Sequence, residues 1–227
     1  MKGKLYGVSV GPGDPELMTL KAVSCIRKCP VLAAPRTSGG NSLALKIASG
    51  GVDISDKHIE YLDLLMTRDH DKLTESYGAA ADCIAVHLDA GRDVSVLNLG
   101  DASLYSSYSY LCQILLERGY EAETIPGVMS FSACAALLNR SLTDMDMPLH
   151  ILPASLPNLA SALSLPGGKV LMKSGHALPQ IKHLLHQLGL AERSVIVTDC
   201  GLPTQCTFHK IDEATSESYF TTIFIAP

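Results

Sequence analysis

Short apolar runs alternate in the first half of the chain with longer segments in which apolar residues recur every three or four positions. The runs predict strands at residues 5–10, 31–34, 94–99 and 122–125. The longer segments predict helices at residues 17–29, 42–49, 73–88, 107–118 and 130–138. Strands that alternate with helices in this way indicate an α/β fold with a mainly parallel sheet.

The pattern changes at residues 139–148, where a polar stretch rich in methionine ends in Pro148. We place a domain boundary there, with a first domain over residues 1–143 and a second over residues 144–227. The second domain has predicted strands at residues 149–152, 169–173, 195–198 and 220–225, helices at 156–164 and 178–188, and a hairpin-like region around 208–211. It is therefore also α/β, with a mixed sheet.

Composition excludes several classes of protein. Hydrophobic residues make up 47% and charged residues 18% of the 227 positions, which is typical of a globular chain. A net charge of −5 and the absence of tryptophan argue against a nucleic-acid partner. No apolar run reaches membrane-spanning length, and the N-terminus is not typical of a signal peptide. Seven cysteines without a disulfide spacing favour free thiols, so we expect a cytoplasmic protein.

Three loops with glycine or short polar residues follow predicted strands of the first domain. They begin at Gly11, Gly100 and Pro126, and the carboxyl ends of parallel strands form the edge at which such sheets bind ligands. Asp101 can accept hydrogen bonds from ribose hydroxyls or an ammonium group, or it can simply cap a helix. The first loop does not match a dinucleotide-binding loop, because Glu16 occupies the position of the third glycine.

Other candidate residues have a plain structural interpretation. The segment 170–176 brings a lysine and a histidine just past a strand, where such side chains are usually solvated. Cys25 and Cys29 lie four apart on a predicted helix, and His183 and His186 lie three apart. Neither pair has a second set of ligands, so we interpret them as core cysteines and solvated histidines and predict no metal site.

Taken together, these segments resemble the tetrapyrrole methylases, and within them the precorrin-2 (cobalt-factor II) carbon-20 methyltransferases. The resemblance covers essentially the whole chain. The similar segments are, in order, GKLYGV (residues 3–8), GPGDPELMTLKA (11–22), APR (34–36) with GGNSLAL (39–45), LGDA (99–102), PGV (126–128), LMK (171–173) and YFTTI (219–223).

This resemblance implies two α/β domains with a cleft between them, usually in a homodimer, and S-adenosylmethionine as cofactor. By position, it implies a cofactor site formed by Gly100, Asp101, Leu104, Met129, Ser130, Met172, Lys173, Cys200 and Thr222. It implies a substrate trough at Gly11, Pro12, Gly13, Asp14 and Pro15, with Arg36 and His176 as partners for the carboxylates of a tetrapyrrole. No catalytic residue is assigned, because the sulfonium methyl group is already activated and an electron-rich meso carbon attacks it.

The implied activity is methyl transfer from S-adenosylmethionine to carbon 20 of precorrin-2 or cobalt-factor II. The alternatives are methylation of another macrocycle carbon or of a protein side chain, and a non-enzymatic module that binds nucleotide or tetrapyrrole. Any cobalt would belong to the substrate. Three residues depart from the wider family, because Ala102 replaces a common proline, Met129 a common threonine and His176 a common arginine.

Overall fold

The computed structural model describes residues 1–36, 40–65, 67, 69–215 and 218–227. The chain divides into two compact units, Met1–Met129 and Ser130–Pro227. This division lies earlier in the chain than the boundary that the sequence pattern suggests after residue 143. The two boundaries differ in where they place the helix that begins at Ser130. This helix belongs to the second unit, because its Cys134 packs against Val197 and Cys200.

The first unit is built on a five-stranded parallel sheet. Its strands are β1 (Leu5–Ser9), β2 (Val31–Pro35), β3 (His58–Leu62), β4 (Val94–Asn98) and β5 (Ala122–Ile125). Their order is β3-β2-β4-β1-β5, and every neighbouring pair is parallel. The parallel sheet predicted from the sequence is confirmed, but β3 is missing from the prediction. It is an edge strand in which His58 and Glu60 alternate with other residues, so it lacks a continuous apolar run.

Helices cover both faces of this sheet. They are α1 (Leu20–Lys28), α2 (Leu43–Gly51), α3 (His70–Asp89) and α4 (Tyr108–Glu117). In β2, Leu32 and Ala34 pack in a core cluster with residues of α1 and α2, whereas Val31 and Ala33 pack in a cluster with α3 and α4. Both sides of the strand are therefore buried, which explains why it reads as an unbroken apolar run.

Side-chain caps define where the helices of this unit begin. The Ser42 hydroxyl accepts a hydrogen bond from the Leu45 N–H at 3.4 Å and so caps α2, the helix predicted over residues 42–49. The helix predicted over residues 17–29 is wrong at its start. A separate 3₁₀ turn occupies Pro15–Leu17, and α1 begins only after Thr19, whose hydroxyl accepts from the Ala22 N–H at 3.1 Å.

The second unit contains a mixed sheet. Its elements are α5 (Ser130–Leu137), β6 (Leu149–Pro153), α6 (Leu159–Leu163), β7 (Gly168–Met172), α7 (Leu178–Gln187), β8 (Ser194–Thr198), β9 (Cys206–Phe208) and β10 (Thr221–Ile225). The order is β6-β7-β10-β8-β9, in which β6 and β7 are parallel and the other three neighbouring pairs are antiparallel. The predicted mixed sheet is therefore confirmed.

The two faces of the second sheet also carry different helices. Residues of α6 and α7 pack on Leu171, Ile196 and Ile223, while α5 packs on the side of Val197. The hairpin-like region expected around residues 208–211 is displaced, because β9 pairs with β8 and a 3₁₀ turn follows at Ile211–Glu213. Within the described parts of the chain, no helix is long and apolar enough to cross a membrane.

Candidate functional site

The loops that follow β1 and β4 meet at the carboxyl edge of the first sheet. The Gly100 N–H donates to the Gly11 carbonyl at 2.8 Å, and the Gly11 N–H donates to the Gly100 carbonyl at 3.3 Å. Both glycines have left-handed backbone conformations, with φ of 77° at Gly11 and 64° at Gly100. Only glycine adopts this region without a steric cost, which explains why a glycine occupies each of these two positions in the loops after β1 and β4.

The fully buried Ser9 joins the ends of three neighbouring strands. Its hydroxyl donates to the Ile125 carbonyl at 2.7 Å and accepts from the Ala102 N–H at 2.9 Å. A Cβ atom at Gly127 would lie 2.4 Å from the Ser9 Cβ and 2.7 Å from the Gly100 carbonyl oxygen, so only glycine allows this approach. The prediction that the three loops share one sheet edge is confirmed. Ser9 itself is not identified from the sequence, because its partners are distant in the chain.

The Asp101 carboxylate links the loop after β4 to the loop after β5. It is 6% exposed, and its Oδ2 accepts from the Gly127 N–H at 2.7 Å. Its Oδ1 accepts from the Ser103 N–H at 2.8 Å and from the Ser103 hydroxyl. Burial alone would raise the pKa of Asp101, but the hydrogen bonds from Ser103 and Gly127 outweigh burial and lower it. A carboxylate has about four acceptor positions, so roughly one remains for a ligand.

Asp101 does not cap the helix α4 that follows it in the chain. The helix α4 begins at Tyr108, whose N–H donates to the Ser106 hydroxyl at 3.1 Å, and that hydroxyl donates to Asn98 Oδ1 at 2.8 Å. In the loop between Asp101 and the start of α4, Tyr105 has a left-handed φ of 50°. Such a conformation costs a non-glycine residue about 1–2 kcal/mol and is concentrated at functional sites.

The other first-unit residues of the predicted site lie in or beside these loops. Leu104 and Met129 are half-buried, and the Leu104 N–H donates to the Asp101 carbonyl at 3.3 Å. In the trough segment, Gly13 is buried and Pro12 is half-buried. Asp14 accepts from the Glu16 N–H at 2.9 Å and so caps the 3₁₀ turn that begins at Pro15.

Arg36 lies at the same carboxyl edge, at the end of β2. Its Nε and Nη2 donate to the two carboxylate oxygens of Asp63 at 2.6 and 2.7 Å, and its guanidinium lies 5.6 Å from the centre of the Tyr61 ring. The hydrogen bond from Arg36 lowers the pKa of Asp63. A guanidinium has five N–H donors, so the Asp63 pair leaves capacity for a second anion. Gly39, which belongs to one of the similar segments, lies outside the described residues.

In the second unit, the predicted residues collect at one edge of the mixed sheet. Because β10 is antiparallel to β7 and β8, its start lies beside their carboxyl ends. Met172 and Lys173 therefore lie near Thr222, and Lys173 has a left-handed φ of 60°. The Lys173 Nζ lies 5.7 Å from the centre of the Tyr219 ring, and the exposed His176 ring is 6.5 Å from the same ring.

Cys200 and Thr222 are buried beside Cys134 of α5. Their exposed fractions are 9% and 5%. Hydrogen bonding to Cys200 and burial raise the pKa of the Cys134 thiol. The same hydrogen bond lowers the pKa of Cys200. Only Cys134 is therefore made a poor nucleophile by a raised pKa. The remaining predicted residue of this unit, Ser130, is half-buried and is the first residue of α5.

A comparison with known families decides the assignment. Residues 4–215 match the tetrapyrrole (corrin/porphyrin) methylases. The chain belongs to this family. The resemblance inferred from the sequence segments is therefore confirmed, and the chain is a tetrapyrrole methylase, an enzyme of the methyltransferase class.

Individual relatives are similar to this methylase over nearly its full length. It is 32% identical, over 99% of its length and 95% of the relative, to a precorrin-2 C(20)-methyltransferase of Sinorhizobium sp. It is also 32% identical, over 99% of its length and 97% of the relative, to a cobalt-precorrin-2 C(20)-methyltransferase of Salmonella typhimurium. Its fold is similar, with a TM-score of 0.71 at 21% identity, to uroporphyrin-III C-methyltransferase of Thermus thermophilus complexed with S-adenyl homocysteine, covering 98% of this chain and 97% of that one.

Proposed function

We propose that this methylase transfers a methyl group from S-adenosylmethionine to meso carbon 20 of precorrin-2 or cobalt-factor II in cobalamin biosynthesis. The observation that carries the proposal is the near full-length similarity to two relatives that are both named C(20)-methyltransferases. Methylation of another macrocycle carbon is the second candidate, because the chain's fold is also that of a uroporphyrin-III methyltransferase.

The first-unit edge loops fit the cofactor chemically. Gly100 and Gly11 have no side chain that would keep a ligand away from the backbone at this edge. Leu104 and Met129 add half-buried apolar surface, and Asp101 retains an acceptor position. A nucleoside with an amino-acid tail needs this combination of acceptors and apolar contacts. When bound, the cofactor supplies an electrophilic methyl group. These residues would therefore hold it and need supply no nucleophile.

The contribution of the protein in this proposal is positioning. The Ser9 hydroxyl and the Asp101 carboxylate fix the three loops through hydrogen bonds that exist before any ligand binds. Fixing two reactants in an attack geometry lowers a barrier by about 7–11 kcal/mol in favourable cases. The loops can also exclude water from the reacting atoms.

The proposal keeps the other residues implied by the resemblance, and each is tested by its own alanine variant. They are Ser130, Met172, Lys173, Cys200 and Thr222 for the cofactor, and Gly11, Pro12, Gly13, Asp14, Pro15, Arg36 and His176 for the substrate. A tetrapyrrole precursor carries several carboxylates, so Arg36 and His176 are the positions at which loss of charge should weaken substrate binding most.

Product mapping tests the proposal directly. The protein is incubated with ¹³C-methyl S-adenosylmethionine and with either metal-free precorrin-2 or cobalt-factor II, and the labelled carbon is located by NMR. Label at carbon 20 is the expected result, and the better of the two substrates shows whether cobalt is already present. Label at another carbon contradicts the proposal in favour of a different tetrapyrrole methylase. Binding of S-adenosylhomocysteine without transfer to any macrocycle favours a binding module.

We also propose that the protein is a cytoplasmic homodimer. All seven cysteines lie in the described part of the chain and are free thiols, which persist in reducing compartments. The dimer is the assembly implied by the family resemblance. Sedimentation equilibrium tests the dimer, and cell fractionation tests the compartment; a monomer at micromolar concentration would contradict the first.

A further inference from the structure

The edge strand β3 places two metal-binding side chains on one face. Its sequence is His-Ile-Glu-Tyr-Leu, and side chains alternate along a strand, so His58, Glu60 and Leu62 share a face. Leu62 is 1% exposed and packs in a core cluster with Ile84 and other residues of α3. The helix α3 therefore covers this face of β3, and its His87 lies one turn beyond Ile84.

His58, Glu60 and His87 bring three metal-ligating atoms together. The Nε2 atoms of His87 and His58 lie 3.1 and 3.6 Å from the Glu60 Oε2, and the ligating atoms all lie within 4.8 Å of one another. Ligands held 2.0–2.1 Å from a tetrahedral ion are roughly 3.3–3.4 Å apart. The two distances bracket this spacing, whereas 3.6 Å is too long for a hydrogen bond.

Ordinary hydrogen bonding does not fully account for the buried histidine. His87 is 5% exposed, and its Nδ1 has no hydrogen-bond partner among the described residues. Nε2 is therefore the nitrogen of this buried ring that has a partner among the described residues, and it faces the Glu60 carboxylate. His58, in contrast, is half exposed, so an ion and a water molecule can reach the cluster from solvent.

We propose that His58, Glu60 and His87 bind one divalent transition-metal ion of the zinc type, with the fourth position open to water. Two imidazoles and one carboxylate are the donors that Zn²⁺ and Co²⁺ accept, whereas Mg²⁺ and Ca²⁺ prefer oxygen ligands alone. The site lies at the amino end of β3, opposite the carboxyl edge where the glycine-rich loops meet. Its role is to fasten the edge strand β3 to α3.

The proposal is tested with tag-free, EDTA-treated protein titrated with ZnCl₂ by calorimetry. The expected result is one ion per chain and a rise in the melting temperature. Titration with CoCl₂ should give the intense visible absorption of four-coordinate Co²⁺. His58→Asn and Glu60→Gln change partly exposed side chains, so both variants should fold as judged by circular dichroism. Each should weaken zinc binding by more than about 10–100-fold, the loss caused by removing even an outer-shell partner.

His183→Asn is the matched control, because His183 is an exposed histidine on α7 outside this cluster. It should bind zinc as the parent protein does. Zinc uptake that is unchanged in the His58→Asn, Glu60→Gln double variant would overturn the proposal. So would the absence of uptake by the parent protein at millimolar zinc, which would leave the cluster as a histidine–glutamate contact only.

Discussion

Replacing Asp101 by asparagine tests whether its carboxylate fixes the edge loops. The side chain keeps its size but loses its charge and one of its two acceptor oxygens. The carboxylate accepts from the Gly127 N–H at 2.7 Å and from the Ser103 N–H at 2.8 Å on different oxygens, so one of these donors must face an NH₂ group. A hydrogen bond to a charged group contributes about 1.5–3 kcal/mol. We expect the free energy of unfolding of the first unit to fall by this amount.

Amide hydrogen exchange at Gly127 measures this loss locally, which matters because two units need not unfold together. A loss of about 1.5–3 kcal/mol corresponds to roughly 10- to 140-fold faster exchange if the amide opens with the unit. Urea denaturation of the same variant gives the global value.

The matched control is Asp53→Asn. Asp53 makes the same kind of turn, accepting from the Ser55 N–H at 3.0 Å, but on the exposed surface. Asparagine should serve there almost equally well, with a change within about 0.5 kcal/mol. If Asp101→Asn is no more destabilising than this control, the buried carboxylate does not hold the loops and the argument for preorganisation fails.

Three further outcomes are expected. Glu123 has a pKa of about 2, below its usual 4.5, because Lys21 and Lys4 donate to it at 2.7 and 2.8 Å. Its contribution to the free energy of unfolding is therefore present above pH 4.5 and lost as the pH falls to 2. Glu123→Gln, unlike Glu121→Gln, should flatten the acid side of a profile of stability against pH. Gly7→Ala puts a Cβ 2.2 Å from the Tyr108 ring and should lower the free energy of unfolding, measured by urea denaturation, by about 1–3 kcal/mol. In the control Gly78→Ala in α3, the new Cβ meets no atom within 4 Å, and the free energy of unfolding should rise by about 0.5–1 kcal/mol. S-adenosylhomocysteine at 100 times its dissociation constant should stabilise the protein by about 2.7 kcal/mol in calorimetric melting, and no shift at millimolar ligand would contradict the cofactor assignment.

Periodicity predicts the elements whose burial is uniform along their length. The strands β1, β2 and β4 are buried on both faces and appear in the sequence as continuous apolar runs. The strand β3 is missed because its polar residues face α3 at the sheet edge. The start of α1 is misplaced because Asp14 and Pro15 form a turn of their own ahead of the Thr19 cap.

The positions of the site loops can be predicted from the sequence, but their connections cannot. Glycine and proline after apolar runs locate the three loops in advance. The bonds from Ser9 cross 93 and 116 positions of the chain, and the Asp101 to Gly127 bond crosses 26. No local pattern encodes such partners, because they depend on strand order. The contact between Glu60 of β3 and His87 of α3 cannot be predicted from a local pattern either, since 27 positions separate the two residues.

The position of β1 between β4 and β5 in the first sheet also has a consequence for how the protein is made. Both partners of β1 among the described strands, β4 and β5, follow it in the chain, so β1 must wait during synthesis for segments about a hundred residues downstream. At 5–20 residues per second, the 116 positions between Ser9 and Ile125 take roughly 6–23 s to synthesise. Until β4 has been synthesised, Leu5 and Val8, both fully buried in the finished fold, have neither of their two partner strands. We therefore expect these apolar residues to stay exposed on the nascent chain for several seconds, and slow translation to prolong the risk of aggregation.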